Sequence, residues 1–129
     1  MALAAIKTEP GAIDREHLAR MTFGEASLER ELLKLFDRQC ELLLARMRDG
    51  DAALIGTLAH TLKGSASGIG AWGVARAAGS CEEAAGEGGS AAERSLALTE
   101  LDAEIAEARA EIAGLLGLAL AALRGGAKG

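Results

Sequence analysis

The sequence is poor in the residues that build β-sheets. It has no tyrosine, one tryptophan, two phenylalanines and a single valine, Val74, among 129 residues. Because strands favour β-branched and aromatic side chains, these shortages argue against a sheet. Alanine, leucine, glutamate and arginine dominate instead, and these residues lose little on entering a helix. The sequence therefore predicts an all-α protein.

Positive charge is scarce as well. The lysines and arginines number 14 against 19 aspartates and glutamates, which gives a formal net charge of -5 at pH 7. A protein that binds a phosphate backbone needs a basic face, so nucleic acid is not an expected partner. The one long apolar run, residues 114–123, is about half of the ~20 residues that cross a bilayer, and glycines interrupt it. We therefore expect no membrane span and no membrane partner.

Cysteine and histidine are few, with two of each. Cys40 and Cys81 fall within helical patterns and the chain has no signal-peptide layout, so we interpret them as small buried thiols of a cytoplasmic protein rather than as a disulfide. His17 and His60 are far apart, and neither has a ligand-like neighbour at suitable spacing. The sequence therefore predicts no metal site and no cofactor.

The chain has room for one domain, since domains usually run to about 100 to 150 residues. Periodicity, capping residues and glycine-rich breaks predict a short first helix followed by four substantial ones. The predicted helices cover residues 13–21, 25–48, 51–69 and 72–85, and a long last helix follows the loop at 86–90. We assign residues 1–12 to a flexible lead-in, 13–123 to the domain and 124–129 to a disordered tail.

Each long helix carries an apolar stripe at three- and four-residue steps. Such stripes can be buried only against one another, so we expect an antiparallel four-helix bundle with the short first helix capping one end. The predicted core positions are Leu28, Leu32, Leu35, Phe36, Leu43 and Met47 in the second helix, Leu54, Leu58 and Leu62 in the third, Val74, Ala78, Cys81 and Ala85 in the fourth, and Leu98, Leu101, Ile105, Ala108, Ile112 and Leu115 in the last.

His60 lies on the opposite side of the third helix from its apolar stripe. At about 100° per residue, it points roughly 160° away from the mean direction of the three leucines. A lone histidine is often a partly buried, hydrogen-bonded side chain. This spacing predicts instead that His60 faces solvent.

The neighbours of His60 on this face are small, apart from one lysine. They lie three, four and seven positions away and comprise Gly56, Thr57, Lys63, Gly64 and Ser67. Glycine inside a helix costs roughly 1 kcal/mol relative to alanine, so stability does not explain Gly56 and Gly64. A partner that approaches the backbone closely would explain both.

An exposed imidazole in this setting can carry a phosphoryl group. A neutral imidazole is a good nucleophile toward phosphorus, and the ordinary imidazole pKa of ~6.5 leaves it mostly neutral at cytoplasmic pH. The anionic oxygens of a phosphohistidine need a nearby cation, and Lys63 lies one turn along the same face. The pattern therefore predicts phosphoryl transfer through His60 with help from Lys63.

Residues 60–71 resemble the signature of histidine phosphotransfer (HPt) domains, written loosely as H-x-L-K-G-[SA]-[SA]-x-x-x-G-A. They read HTLKGSASGIGA and match at every defined position. The resemblance covers about residues 13–116. It implies a helical bundle in which His60 is the phosphoacceptor, Lys63 assists with phosphate charge and Gly64 gives clearance to an incoming receiver domain.

The next helix of the family often carries an acidic residue after an apolar one, and Glu82, which follows Cys81, resembles that residue. By this resemblance Glu82 would orient the imidazole of His60 by accepting a hydrogen bond from its Nδ1–H, which would leave Nε2 free to attack.

The same resemblance implies a phosphocarrier of a two-component multistep phosphorelay rather than an enzyme. It would accept a phosphoryl group from a receiver-domain aspartate and pass it to another receiver domain. The expected partners are response-regulator receiver domains and hybrid sensor histidine kinases, with Gly56, Thr57, Gly64 and Ser67 as the receiver-binding surface. We expect a monomer, and we expect Mg²⁺ only on the receiver, which supplies most of the transition-state stabilisation.

Two other interpretations stay open on the sequence alone. A histidine-kinase dimerisation bundle also displays an exposed histidine, but there an acidic residue and a proline typically follow it, where this chain has Thr61 and Leu62. No stretch resembles an ATP-binding kinase domain. The second alternative is a bundle that docks or sequesters receiver domains without transfer, and the presence of both His60 and Lys63 argues against it.

Overall fold

The computed structural model describes residues 11–128, with side chains described as far as Gly117. Within residues 11–128 the chain forms five helices and no strand, as the shortage of strand-forming residues predicts. They are α1 (Arg15–Met21), α2 (Ala26–Arg48), α3 (Ala52–Ile69), α4 (Trp72–Ala84) and α5 (Ala91–Lys128). In this part of the chain no helix combines the length and apolarity that crossing a membrane requires.

The four long helices form a closed bundle. Helices α2 and α4 each pack on both α3 and α5, and the short α1 packs on α3. The connections at 49–51, 70–71 and 85–90 are short, so consecutive long helices run in opposite directions. The predicted antiparallel four-helix bundle with a short extra N-terminal helix is confirmed.

Local capping chemistry sets the helix boundaries. The side chain of Asp14 accepts a hydrogen bond from the backbone of His17 at 3.1 Å, and Asp51 accepts one from Leu54 at 2.9 Å. These carboxylates satisfy backbone donors that the first turn of a helix leaves without partners. Helix α3 ends at Gly70, which has a φ of 85° that a residue without a Cβ adopts readily.

The core face of α2 differs from the one that we predicted. Leu28 and Leu35 are exposed, at 38% and 59%, and Leu32 and Leu43 are only half-buried. Phe36, Cys40 and Met47 are buried as predicted, but the other buried residues of α2 are Leu33 and Leu44. Leu32 and Leu35 line an open apolar groove of about 540 Å³ between α2 and α3.

The predicted stripes of the other helices agree more closely with the structure. Within the predicted sets, Leu58, Leu62, Val74, Ala78, Cys81, Leu101, Ile105, Ala108 and Ile112 are buried, whereas Leu54, Ala85, Leu98 and Leu115 are partly buried against the core. The prediction missed the buried Ile55, Ala59, Ala66 and Ile69 of α3. Both thiols lie in the core, as predicted, and the structure shows them free.

Glu111 on α5 holds the chain just before α1. Its Oε1 accepts a hydrogen bond from the Ala12 N–H at 3.0 Å, and its Oε2 accepts one from the Ile13 N–H at 2.8 Å. Most of the predicted lead-in, residues 1–10, lies outside the described residues. At the other end, the backbone of α5 continues as helix to Lys128, whereas the sequence predicts a disordered tail from residue 124.

Candidate functional site

Helix α3 directs His60 away from the core. Ile55, Leu58 and Leu62 on the same helix are buried, and His60 lies on the opposite side with 69% of its side chain exposed. The orientation agrees with the apolar spacing of the helix. A group at the ring can therefore be reached from solvent.

Glu82 on α4 holds the imidazole of His60. The Nδ1 atom of His60 lies 2.8 Å from Oε2 of Glu82. An ionised carboxylate can only accept hydrogen bonds, so Nδ1 carries the proton and, in the neutral ring, Nε2 carries the free lone pair. The contact between these two residues is the one that the HPt resemblance implies.

The other oxygen of the same carboxylate is taken by Lys63. Its Nζ donates to Oε1 of Glu82 at 2.6 Å. The hydrogen bond from Lys63 is the main cause that lowers the pKa of Glu82. Burial opposes it, and the hydrogen bond from His60 lowers the pKa further. Glu82 therefore stays ionised at neutral pH, bridging Lys63 and His60.

We call the surface formed by Gly56, Thr57, His60, Gly64 and Ser67 the His60 face. A Cβ added at Gly64 would meet nothing within 4 Å, so this position is open to solvent. A Cβ at Gly56 would lie 3.5 Å from the Cβ of Ala85, an ordinary packing distance. Gly64 is therefore the glycine whose missing side chain leaves open surface beside His60.

The two hydroxyl residues of the His60 face differ in exposure. Thr57 is exposed and its hydroxyl donates to the Ala53 carbonyl at 3.1 Å, whereas Ser67 is half-buried. A shallow depression of about 460 Å³ lies beside His60 on the Thr57 side, and Glu82 and Gly86 contribute to its wall. The structure thus brings the predicted residues together around one exposed imidazole, with Lys63 and Glu82 beside it.

The ion pair between Lys63 and Glu82 is the part of the site that sequence reasoning missed. The two residues lie on different helices, 19 positions apart, so no periodicity within one helix relates them. Gly79 on α4 leaves room for the lysine, because a Cβ there would lie 3.6 Å from Cδ of Lys63. In the sequence, the only hint of this ion pair is the small residue Gly79, about one turn before Glu82.

The second histidine lies in a different cluster, which we call the α1 joint and which comprises Asp14, His17, Gly68, Gly70 and Trp72. Nε2 of His17 lies 3.1 Å from the Gly68 carbonyl oxygen, and its ring is edge-on to Trp72 with centroids 4.9 Å apart. The indole N–H of Trp72 donates to Asp14 at 2.9 Å. Among the described residues no group of three or more histidine, cysteine or acidic side chains could hold a metal ion.

The structure is thus a helical bundle that presents an exposed histidine bound to a carboxylate. The family model described as Hpt domain matches residues 26–111. The match covers more than half of the chain, and the chain belongs to the Hpt domain family. No curated protein and no solved structure matches it.

Members of this family transfer phosphoryl groups through a histidine in phosphorelays, and they are phosphocarriers rather than enzymes. Their partners are receiver domains and the kinases of these relays. The family match favours this class over the histidine-kinase dimerisation bundle that the sequence left open.

Proposed function

We propose that this chain accepts a phosphoryl group on Nε2 of His60 from a receiver-domain aspartate and passes it to the aspartate of another receiver domain. The observation that carries the proposal is the exposed imidazole whose Nδ1 is bound to Glu82, 2.8 Å away, so that Nε2 is the nucleophile. Glu82 is proposed to orient the ring. Gly64 and its small neighbours are proposed to form the surface on which the receiver docks.

The proposed step is an in-line displacement at phosphorus. The lone pair of Nε2 attacks the phosphorus of the aspartyl phosphate, the bond between phosphorus and the carboxyl oxygen breaks, and the aspartate carboxylate leaves. The ring keeps its proton on Nδ1, so positive charge develops on the imidazole next to the carboxylate of Glu82. Transfer to the second receiver reverses these steps.

Most of the stabilisation in this step is expected from the receiver, which supplies the aspartate and its Mg²⁺. The contribution of this chain is to present the nucleophile in one tautomer on an unobstructed surface. Lys63 adds positive charge near the position of the phosphoryl oxygens. We further propose that the chain acts as a monomer in the cytoplasm.

The test is to mix the protein with phosphorylated receiver domains from its own organism and to follow the label. We expect one or more receivers to lose label while this chain gains it at His60, in a form that acid hydrolyses and alkali preserves. Receivers that bind tightly but keep their label would instead support a docking or sequestering protein. Label on another residue would refute the assignment of His60.

A further inference from the structure

Helix α2 carries a second apolar stripe that the bundle does not cover. At about 100° per residue, this stripe lies roughly 120° around the helix from the buried one. Its members follow at alternating steps of four and three residues and are Leu28, Leu32, Leu35, Gln39 and Leu42. Leu28, Leu35 and Leu42 are exposed, and the other two are half-buried. We call this stripe the α2 seam.

The spacing of the α2 seam is that of a coiled coil. Steps of three and four residues that repeat every seven define the a and d positions of a heptad. Leu28, Leu35 and Leu42 occupy d positions, whereas Leu32 and Gln39 occupy a positions. Helix α2 already joins its own bundle through a different, buried stripe. Exposed apolar patches of this kind mark surfaces that contact other proteins, and the heptad spacing fits a second helix.

The open groove between α2 and α3 runs along the α2 seam and has a volume of about 540 Å³. Leu32, Leu35 and Gln39 line it from α2, and Ser65 and Gly68 line it from α3. A Cβ added at Gly68 would meet nothing within 4 Å, so the α3 wall leaves open space there. The groove therefore gives room to the apolar side chains of a facing helix.

Charged residues beside the α2 seam select the partner. Glu31 and Arg38 are exposed and lie on the side of the seam away from the groove. In an antiparallel pair of α2 helices related by a two-fold axis, Leu32 faces Leu35 of the second copy, and Leu35 faces Leu32 of that copy. The same alignment places Glu31 of each copy near Arg38 of the other. One register thus satisfies both the apolar and the charged residues of the seam.

We infer that two copies of this chain associate weakly through the α2 seam, antiparallel and with two-fold symmetry. The association is weak because a seam of one exposed helix offers less area than a stable dimer buries. The monomer remains the form proposed to act on receivers. Ser65 and Gly68 of the groove neighbour Gly64 and Ser67 of the His60 face in α3, so a second copy on the seam crowds that face. The pairing is independent of the proposed function, and only its effect on receivers rests on it.

Sedimentation equilibrium of the full chain tests the pairing. We expect the average mass to rise from that of one chain at about 10 μM toward that of two chains at about 1 mM, a range typical of weak contacts. Leu35→Glu should stay monomeric throughout, because it places a carboxylate at the centre of the apolar contact. Leu96→Glu replaces an exposed leucine of α5 and should associate like the wild type. A wild-type mass of one chain at every concentration would overturn the inference.

An exchange of two charges tests the register. Glu31→Arg and Arg38→Glu should each weaken association by about three- to tenfold, since each opposes like charges at two symmetric places. The double variant restores both pairs with the charges reversed and should associate within about twofold of the wild type. The exposed contact of Glu31 with Lys34, at 3.6 Å on the same helix, is lost without such rescue. A double variant that associates no better than the single variants would overturn the inference, and thermal melting confirms that each variant is folded.

The other candidate occupant of the α2 seam is a receiver domain, and the same variants distinguish it. If the wild type stays monomeric and Leu35→Glu slows transfer from a phosphorylated receiver in dilute solution, the seam docks receivers and the inference is wrong. If the wild type associates, its labelling by the receiver should slow as the protein is concentrated, whereas that of Leu35→Glu should not. Sedimentation needs no phosphoryl donor, so a His60 that never accepts a phosphoryl group would refute the proposed function and leave the pairing to be decided by mass.

Discussion

The two histidines of this chain lie in opposite surroundings. In the α1 joint, His17 is half-buried, with a ring nitrogen near a backbone carbonyl and Trp72 against its ring. On the His60 face, the ring is exposed and its Nδ1 is bound to a carboxylate. Both rings are anchored by a hydrogen bond, so anchoring alone does not mark a functional histidine. What distinguishes His60 as the candidate nucleophile is that its ring is exposed and lies next to Gly64, which leaves the surface open.

The comparison is tested most directly by removing each histidine in turn. His60→Gln should abolish phosphoryl acceptance while changing the free energy of unfolding by less than about 0.5 kcal/mol, because the side chain faces water. His17→Gln should accept the phosphoryl group normally and lose about 1 kcal/mol of stability through its ring contacts. Intact-mass measurement after labelling and thermal melting check both. Full labelling of His60→Gln would contradict the assignment of the nucleophile.

The open surface beside His60 should affect the rate of transfer from a large phosphoryl donor, such as a receiver domain, and not from a small donor such as phosphoramidate. Gly64→Gln should slow transfer from a phosphorylated receiver by about tenfold or more, since small misplacements of reacting groups are costly. Labelling by phosphoramidate should change little. The helix should gain up to about 1 kcal/mol from the loss of glycine.

The matched control for Gly64 is Gly114, a helical glycine of α5 where an added Cβ also meets nothing within 4 Å. Gly114→Gln should gain similar helix stability and transfer at the wild-type rate. If Gly64→Gln were less stable and transferred normally, Gly64 would be a packing glycine and the clearance argument would fail.

Substitution of Gly70, a glycine of the α1 joint, should destabilise the protein, whereas substitution of Gly64 should not. Gly70 has a φ of 85°, and a Cβ there would lie 2.9 Å from the backbone oxygen of Asp14. Gly70→Ala should therefore lower the free energy of unfolding by about 2 kcal/mol or more, through backbone strain and the displaced contact. Urea unfolding checks the difference from Gly64→Ala, which should be neutral or stabilising. Comparable effects in the two variants would remove the contrast between the regions.

The buried thiol of Cys81, next to Glu82 in the sequence, should not react in the native protein. Cys81 precedes Glu82 but points into the core, and burial raises its pKa to about 11; burial likewise raises the pKa of Cys40 to about 12. Both thiols should react with a thiol reagent at pH 8 only after unfolding. Rapid reaction of the native protein would show that the core opens next to the site.

The same shifts predict a small effect of pH on stability. A group whose pKa is raised by folding contributes stability that is complete below its unfolded value, here 9.0, and is lost as the pH rises toward the folded value. Above pH 9 the unfolded chain releases thiol protons that the folded chain keeps. Urea unfolding between pH 8 and about 10.5 should therefore show falling stability, and part of the fall should vanish when Cys81 is replaced by alanine.

The fold was largely predictable because its helices carry their boundaries in local sequence. Asp14, Asp51 and Gly70 cap or end helices through their own chemistry, which needs no tertiary information. The face of α2 was not predictable in this way. Adjacent leucines at 32–33 and 42–44 fit more than one apolar stripe, and only packing against the other helices selects Leu33 and Leu44 for the core.

In the candidate site too, features set within one helix were predictable from the sequence, and contacts between helices were not. The exposure of His60 and its small neighbours follow from periodicity within α3, so the sequence predicts them. The contact between His60 and Glu82 required knowledge of the family, and the pair of Lys63 with Glu82 depends on how α4 is rotated against α3. Contacts between helices require a register that no single helix contains.

The bonds of Glu111 to Ala12 and Ile13 bear on the order in which the chain folds. They join residues 98 and 99 positions apart, so they close almost the whole described chain into a ring. The entropy cost of closing a loop grows with its length, and contacts between distant residues form late in folding unless other contacts have already shortened the loop. Helices α3 and α4, joined by two residues, can pair first, whereas α1 can dock only once α5 is in place. We therefore expect Glu111→Ala to speed unfolding and to leave the folding rate nearly unchanged.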